Sequence, residues 1–383
     1  MPAAQAFSRH PVHGAPKIHA LTSLRFFAAL YVVFYHTVWT PYPSISHSSL
    51  TGRFYSLGII SVSFFFLLSG YILAMVYLKP DQPIQKRSFY ISRFARIYPL
   101  FLLTLVLDTP NLLFERISHY GLASAVLKTS VTFTANLMML QAWFGGLRGI
   151  DNPNWSLSVE TVFYLIFPLI GVWIWKLGKS WVWFATGLFW VGGQLLVRFV
   201  DIFHVSGIIE FFPPLHVSTF VLGILVAKLQ CQRQVSNRLP STKKLGRWCL
   251  LLVSLTILCV VVVWSPWIPQ AQLSDGLLSP VFAMMIWALA DNAFLPARLL
   301  SSRWLVLLGE ASFGLYLIHI PVFHLFERLH LASIPTFYLL YLAVCIGMSI
   351  LSFYFFETPS RKWALRQLGA RTRESMEVAS DAQ

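Results

Sequence analysis

Charge is what this sequence has least of. Only 11% of its 383 residues are Asp, Glu, Lys or Arg, where soluble domains carry about 25%. A chain so poor in charge and 56% hydrophobic has too little polar surface for a soluble globular domain. Acidic residues are the scarcer kind, 15 against 29 Lys and Arg, for a formal net charge of +14. The basic residues form no single stripe or recognition helix, so nucleic acid is not an expected partner. The four cysteines, Cys231, Cys249, Cys259 and Cys345, have neither a disulfide framework nor metal-ligand spacing, and no metal is expected. GxSxG, Walker A, GxGxxG and HExxH are all missing, which leaves those hydrolase, nucleotide-binding and zinc chemistries without an anchor. The first 20 residues lack the apolar stretch of a signal peptide.

What the chain has instead is long apolar runs. A spanning helix needs about 20 mainly apolar residues, and ten segments qualify, at 21–39, 57–78, 97–114, 156–176, 181–199, 214–230, 248–265, 277–293, 305–325 and 334–356. The third is broken by Asp108, Thr109 and Pro110. An eleventh stretch, 122–143, is weighed by charge. If it does not cross, most Lys and Arg fall on one side, as the positive-inside rule requires of cytoplasmic loops. If it crosses, the basic cluster CQRQVSNRLPSTKKLGR (231–247) is thrown outside. The expected architecture is therefore all-α: a polytopic membrane helix bundle of about ten transmembrane helices, both termini cytoplasmic, with 122–143 re-entering or lying at the outer interface. A polar N-terminal tail (1–20) and a polar C-terminal tail (364–383) flank one membrane domain (21–363). The expected location is the cell inner membrane, multi-pass, with lipid as partner; oligomeric state is left open.

Ionisable side chains inside spans are costly and face partners or cavities. Arg25 and His36 are eleven residues apart, about 16.5 Å of rise, and eleven steps of 100° return them to one helix face. A snorkelling Arg with a hydrogen-bonded His explains them without function. Glu160, in NPNWSLSVETVFYLIFP, is placed one turn below the outer surface at the depth of His36, where a carboxylate can orient an imidazole as a base; capping its own helix is the plainer alternative. Arg93 and Arg96 stand one turn apart before Tyr98-Pro99, and their forked donors suit phosphate as well as they mark a cytoplasmic loop. Ser69-Gly70 permits close helix approach or room for an extended ligand. His319, mid-span with Tyr316 nearby, is more often a bundle hydrogen-bonder than a site residue. Glu357 is expected at the depth of Arg25.

In order along the chain stand LTSLRFFAALYVVFYH, SVSFFFLLSGYIL, ISRFARIYPL, NWSLSVETVFYLIFP, LGEASFGLYLIHIP and ETPSRKW. Their order and spacing resemble the acyltransferase family 3 membrane proteins over residues 18–363. The resemblance implies transfer of an acyl group, most often acetyl, from cytoplasmic acyl-CoA to a hydroxyl of a glycan, antibiotic or related acceptor, without a metal. It puts the arginine–ten residues–histidine motif on Arg25 and His36. The WSLSVE motif falls on Trp155, Ser156, Ser158 and Glu160, and the basic RIYP motif on Arg93, Arg96 and Tyr98. Departures stand at Ser63 (commonly acidic), Ser92 (commonly Arg) and Phe313 (commonly Tyr). The esterase-like domain fused to some relatives is expected to be missing.

The implied mechanism has His36, Glu160 and Arg25 as the catalytic group. Arg93 and Arg96 hold the CoA phosphates, and Ser69, Gly70, Tyr98, Trp155, Ser156, Ser158, Tyr316 and His319 line the substrate path. The rival reading is a proton-coupled transporter or exporter relaying protons through His36, Glu160 and His319.

Overall fold

The computed structural model describes residues 18–79, 82–203, 211–236, 242–291 and 293–368. The expected polar tails lie outside the described residues apart from 18–20 and 364–368, as do residues 237–241 of the basic cluster. Among the described residues there is no β-strand. The helices are α1 (His19–Thr37), α2 (Leu50–Ser56), α3 (Ile60–Tyr77), α4 (Lys86–Tyr120), α5 (Leu122–Leu137), α6 (Trp155–Lys176), α7 (Lys179–Ile202), α8 (Pro213–Ser236), α9 (Thr242–Trp264), α10 (Gln270–Ser274), α11 (Ser279–Leu289), α12 (Leu295–Leu300), α13 (Arg303–Arg328) and α14 (Pro335–Ser352).

Nine helical stretches among the described residues are long and apolar enough to cross a membrane. They coincide with nine of the ten expected segments. The first, α1, falls short because Arg25, His36 and its tyrosines dilute its hydropathy, yet it packs centrally along α3 and α13. The outermost helices keep apolar side chains on their outside, such as Leu195 on α7, Leu252 on α9 and Leu339 on α14. That is the surface a lipid solvent selects, since apolar residues need no water-shielding there.

Close helix contact fixes the bundle's centre. A Cβ on Gly70 of α3 would collide with the Phe220 carbonyl of α8, and one on Gly223 of α8 would collide with the Leu67 carbonyl of α3. Each glycine lets the other backbone approach, which is how helices associate where lipid removes the hydrophobic drive. Of the two expectations for Ser69-Gly70, the structure gives Gly70 to helix contact.

The segment at 122–143 forms no helix among the nine long and apolar enough to cross. Helix α5 folds back along α4, with Arg116 donating to Thr132 at 3.0 Å and Tyr98 donating to the Leu137 carbonyl at 3.2 Å. The chain then enters the bundle, where Gln141, Ile150, Asp151 and Asn154 are all buried. Gln141 donates to the Asn154 carbonyl at 2.8 Å, closing this inserted turn. As a result the first turns of α6 begin buried within the protein, covered by the residues ahead of them.

Candidate functional site

Polar groups cluster at two levels of the bundle. The first is a basic end. Arg93 donates to Tyr77 at 3.2 Å and to Ser92 at 3.3 Å, and its guanidinium lies 5.5 Å from the Tyr77 ring and 5.8 Å from the Tyr164 ring. Its Nε is buried with no partner. Arg96 is within electrostatic reach of Arg25, Glu357 and Arg361. Four guanidiniums therefore converge with two carboxylates, Glu160 and Glu357, among them. The excess is positive, and Arg presents the fork geometry that phosphate oxygens accept. Glu357 sits where α14 widens into a π-helical turn (Phe353–Glu357), a local irregularity common at functional positions.

Glu160 forms the next level. Its Oε1 accepts from Tyr164 at 2.5 Å and from Ser69 at 3.1 Å. One turn nearer the start of α6, the hydroxyls of Ser156 and Tyr316 lie 2.7 Å apart and both reach the Pro153 carbonyl at 3.0 Å. Ser158 donates to the Met139 carbonyl. Trp155 packs edge-on to Phe66 and against His216, which is paired with Asp275. Of the expected substrate contacts, Ser156, Ser158 and Tyr316 brace the inserted turn, Tyr98 bonds to the end of α5, and Trp155 packs on Phe66 and His216.

The second level is a histidine end. His36 Nδ1 lies 3.0 Å from the Val32 carbonyl, and His319 Nε2 is 3.3 Å from the same nitrogen. A carbonyl only accepts, so Nδ1 carries the hydrogen and His36 Nε2 keeps its lone pair. His319 is fully buried, and its own carbonyl accepts from Tyr341 at 3.0 Å. Beside His36 opens a cavity of about 510 Å³ lined by α4 and α13, including Asn111, Glu115, His324 and Glu327.

The expected His36–Glu160 pair does not form. The structure gives His36 the His319 ring and gives Glu160 to Ser69 and Tyr164. The depth argument assumed that α6 starts at the membrane surface, whereas the buried turn ahead of it pushes Glu160 towards the arginines. Arg25 and His36 do belong to opposite levels, and Arg25 has Glu160 and Glu357 within electrostatic reach. Of the expected site residues only His36 lines the cavity.

Sequence reasoning missed Asp108 and His324. Asp108 is buried in α4 and accepts from His324 at 2.6 Å, from Asn111 at 2.7 Å and from the Asp151 backbone N–H at 2.7 Å. An acid within a span was a signal of its own, and His324 is five residues beyond His319. Asp151 is fully buried in left-handed backbone (φ 46°). Burial, and then the neighbouring Asp108 carboxylate, push its carboxyl well above the usual carboxylate range. No cluster of three or more metal-ligating side chains occurs among the described residues.

Comparison with known proteins gives this geometry a family. The model described as "Acyltransferase domain" (Acyl_transf_3) matches residues 18–357. Acyltransferase MdmB of Streptomyces mycarofaciens is 30% identical over 82% of this chain and 81% of its own length. O-acetyltransferase OatA of Staphylococcus aureus is 23% identical over 89% of this chain, which spans only 57% of that protein. No solved structure matches. A guanidinium cluster and an imidazole cavity at two levels of one helix bundle thus occur in a chain that belongs to the acyltransferase 3 family of multi-pass membrane proteins.

Proposed function

We propose that this protein is an integral membrane O-acyltransferase that moves an acyl group, in the first instance acetyl, from acyl-CoA to a hydroxyl on a glycan or similar acceptor. The observation that carries the reading is the line of polar groups joining the two levels: Arg93 and Arg96, then Tyr164 and Glu160 with Ser69, then Ser156 and Tyr316, then His319 and His36.

In this reading the basic end faces the cytoplasm of a cell inner-membrane protein, where the CoA pool lies. Arg93, Arg96 and Arg361 take the phosphates, and Arg25, with Glu160 and Glu357 in electrostatic reach, compensates charge along the donor's path. The pantetheine arm carries the thioester past Ser69 towards His36. The acceptor hydroxyl, in the cavity, attacks the thioester carbonyl. Its proton passes to His36 Nε2, the new C–O bond forms, the C–S bond breaks, and the CoA thiolate takes the proton from the imidazolium. Such base assistance is worth about 10²–10⁴-fold.

The experiment is purified protein in liposomes supplied with acetyl-CoA and an extract of lipid-linked glycans. Release of CoA thiol together with a new acetyl ester, seen by mass spectrometry, is the expected result. Movement of an intact solute with no thiol release overturns it in favour of a proton-coupled carrier.

A further inference from the structure

The cavity holds a second imidazole that the proposed reaction does not use. His324 Nδ1 lies 2.6 Å from Asp108 Oδ1. Asp108 is itself fixed, because Asn111 donates to Oδ1 and the Asp151 N–H to Oδ2, each at 2.7 Å. A buried carboxylate already serving two donors acts as an acceptor, so His324 Nδ1 carries the hydrogen, and in the neutral imidazole Nε2 keeps its lone pair. Val32 fixes His36 in the same sense. The cavity wall therefore carries two imidazoles whose free nitrogens accept hydrogen bonds.

The other polar groups of the lining are two acceptors and two residues with donors. Glu115 and Glu327 only accept. The Asn111 amide is already used on Asp108, and the Arg328 guanidinium lies over the Phe114 ring at 5.0 Å. Leu112, Ile320 and Phe323 supply apolar faces. Such a chamber of about 510 Å³ suits a ring that carries more than one hydrogen-bond donor.

We infer that the Asp108–His324 dyad is a second anchor for the acyl acceptor, His324 Nε2 accepting a hydrogen bond from a hydroxyl next to the one acylated at His36. The acceptor class is a ring polyol. The inference rests on the O-acyltransferase reading above. His324 is a binding residue, and Asp108 is a positioning residue that acts through the imidazole by fixing which nitrogen holds the proton.

The test uses the full-length purified protein, acetyl-CoA and three probe acceptors of one shape: trans-cyclohexane-1,2-diol, cyclohexanol and trans-2-methoxycyclohexanol. The wild type should favour the diol over cyclohexanol by about tenfold in kcat/KM, mainly through KM, the worth of one hydrogen bond. The methoxy compound, which lacks the second donor, should match cyclohexanol. His324→Ala should bring the diol ratio near one. Asp108→Asn turns an amide N–H towards Nδ1, so that Nε2 becomes the donor, and the methoxy compound should then gain several-fold on cyclohexanol. A structural role alone would lower all three acceptors together.

A wild type indifferent to the second hydroxyl, or a diol ratio that survives His324→Ala, overturns the inference. Should His324→Ala fail to fold, the methoxy response of Asp108→Asn decides, and no gain there overturns it. If the wild type esterifies none of the three, the acyltransferase reading fails first and this inference with it.

Discussion

The two ends of the bundle treat ionisable groups in opposite ways. At the basic end four guanidiniums outnumber two carboxylates, and the Arg93 Nε and a Glu357 oxygen are buried without partners. At the histidine end Asp108 is satisfied by three donors, and each imidazole of the cavity has its Nδ1 fixed by an acceptor. An end with unsatisfied positive charge is built to receive an anion from elsewhere. At the other end the buried Asp108 is already paired, and the two imidazoles beside it present neutral lone pairs to the cavity in the proposed reading. In the proposed reading, the difference means that one chain keeps donor and acceptor chemistry apart at two levels of a single bundle.

The largest expected effect is at His36. His36→Ala should lower acyl transfer about 10²–10⁴-fold in protein that still inserts and elutes as a folded species, measured by CoA release. Full turnover would remove the chemical asymmetry between the ends. Next, Arg96→Ala should weaken acyl-CoA binding about tenfold or more, because a charge-assisted contact to phosphate is lost. Equilibrium binding of CoA checks this, and an unchanged affinity would put the donor elsewhere.

Glu160→Gln sharpens the boundary between the ends. If Glu160 belongs with the arginines, the variant should change KM for acyl-CoA by less than tenfold and leave the pH profile of kcat in place. A kcat loss as large as that of His36→Ala would restore a His36–Glu160 pairing. The smallest effect is on stability. The Asp151 carboxyl is raised by burial and by Asp108, so the folded state holds a proton that the unfolded chain releases near pH 4. Stability from that proton is complete below the unfolded value and is lost as pH climbs through the folded one. Asp151→Asn should remove this loss, and its thermal midpoint should gain a few degrees on the wild type as pH rises above 4.

The spans were legible in the sequence because hydropathy is a local property, needing only about 20 neighbouring residues. The separation of Arg25 from His36 was legible for the same reason, since one regular helix carries both. Glu160 was misplaced because its depth depends on where residues 138–154 go, and short apolar loops do not announce that they bury. Asp108 and His324 are 216 residues apart, and their pairing follows from how α4 lies along α13, which no window of sequence contains. The carbonyl shared by the Ser156 and Tyr316 hydroxyls was illegible for a related reason: it belongs to the same unseen turn.

Helix α4 has 35 residues, about 52 Å of rise, while the hydrocarbon layer of a bilayer is about 30 Å thick. Asn111 and Glu115 lie roughly 40 Å along it from Lys86, so with Lys86 at one face of the bilayer the cavity mouth would stand near the opposite headgroups. Bilayer thickness then becomes a physical setting of the protein. On that placement a thick membrane would immerse the mouth in hydrocarbon and a thin one would leave it among hydrated headgroups, so membrane composition would bear on which amphiphilic molecules reach His36.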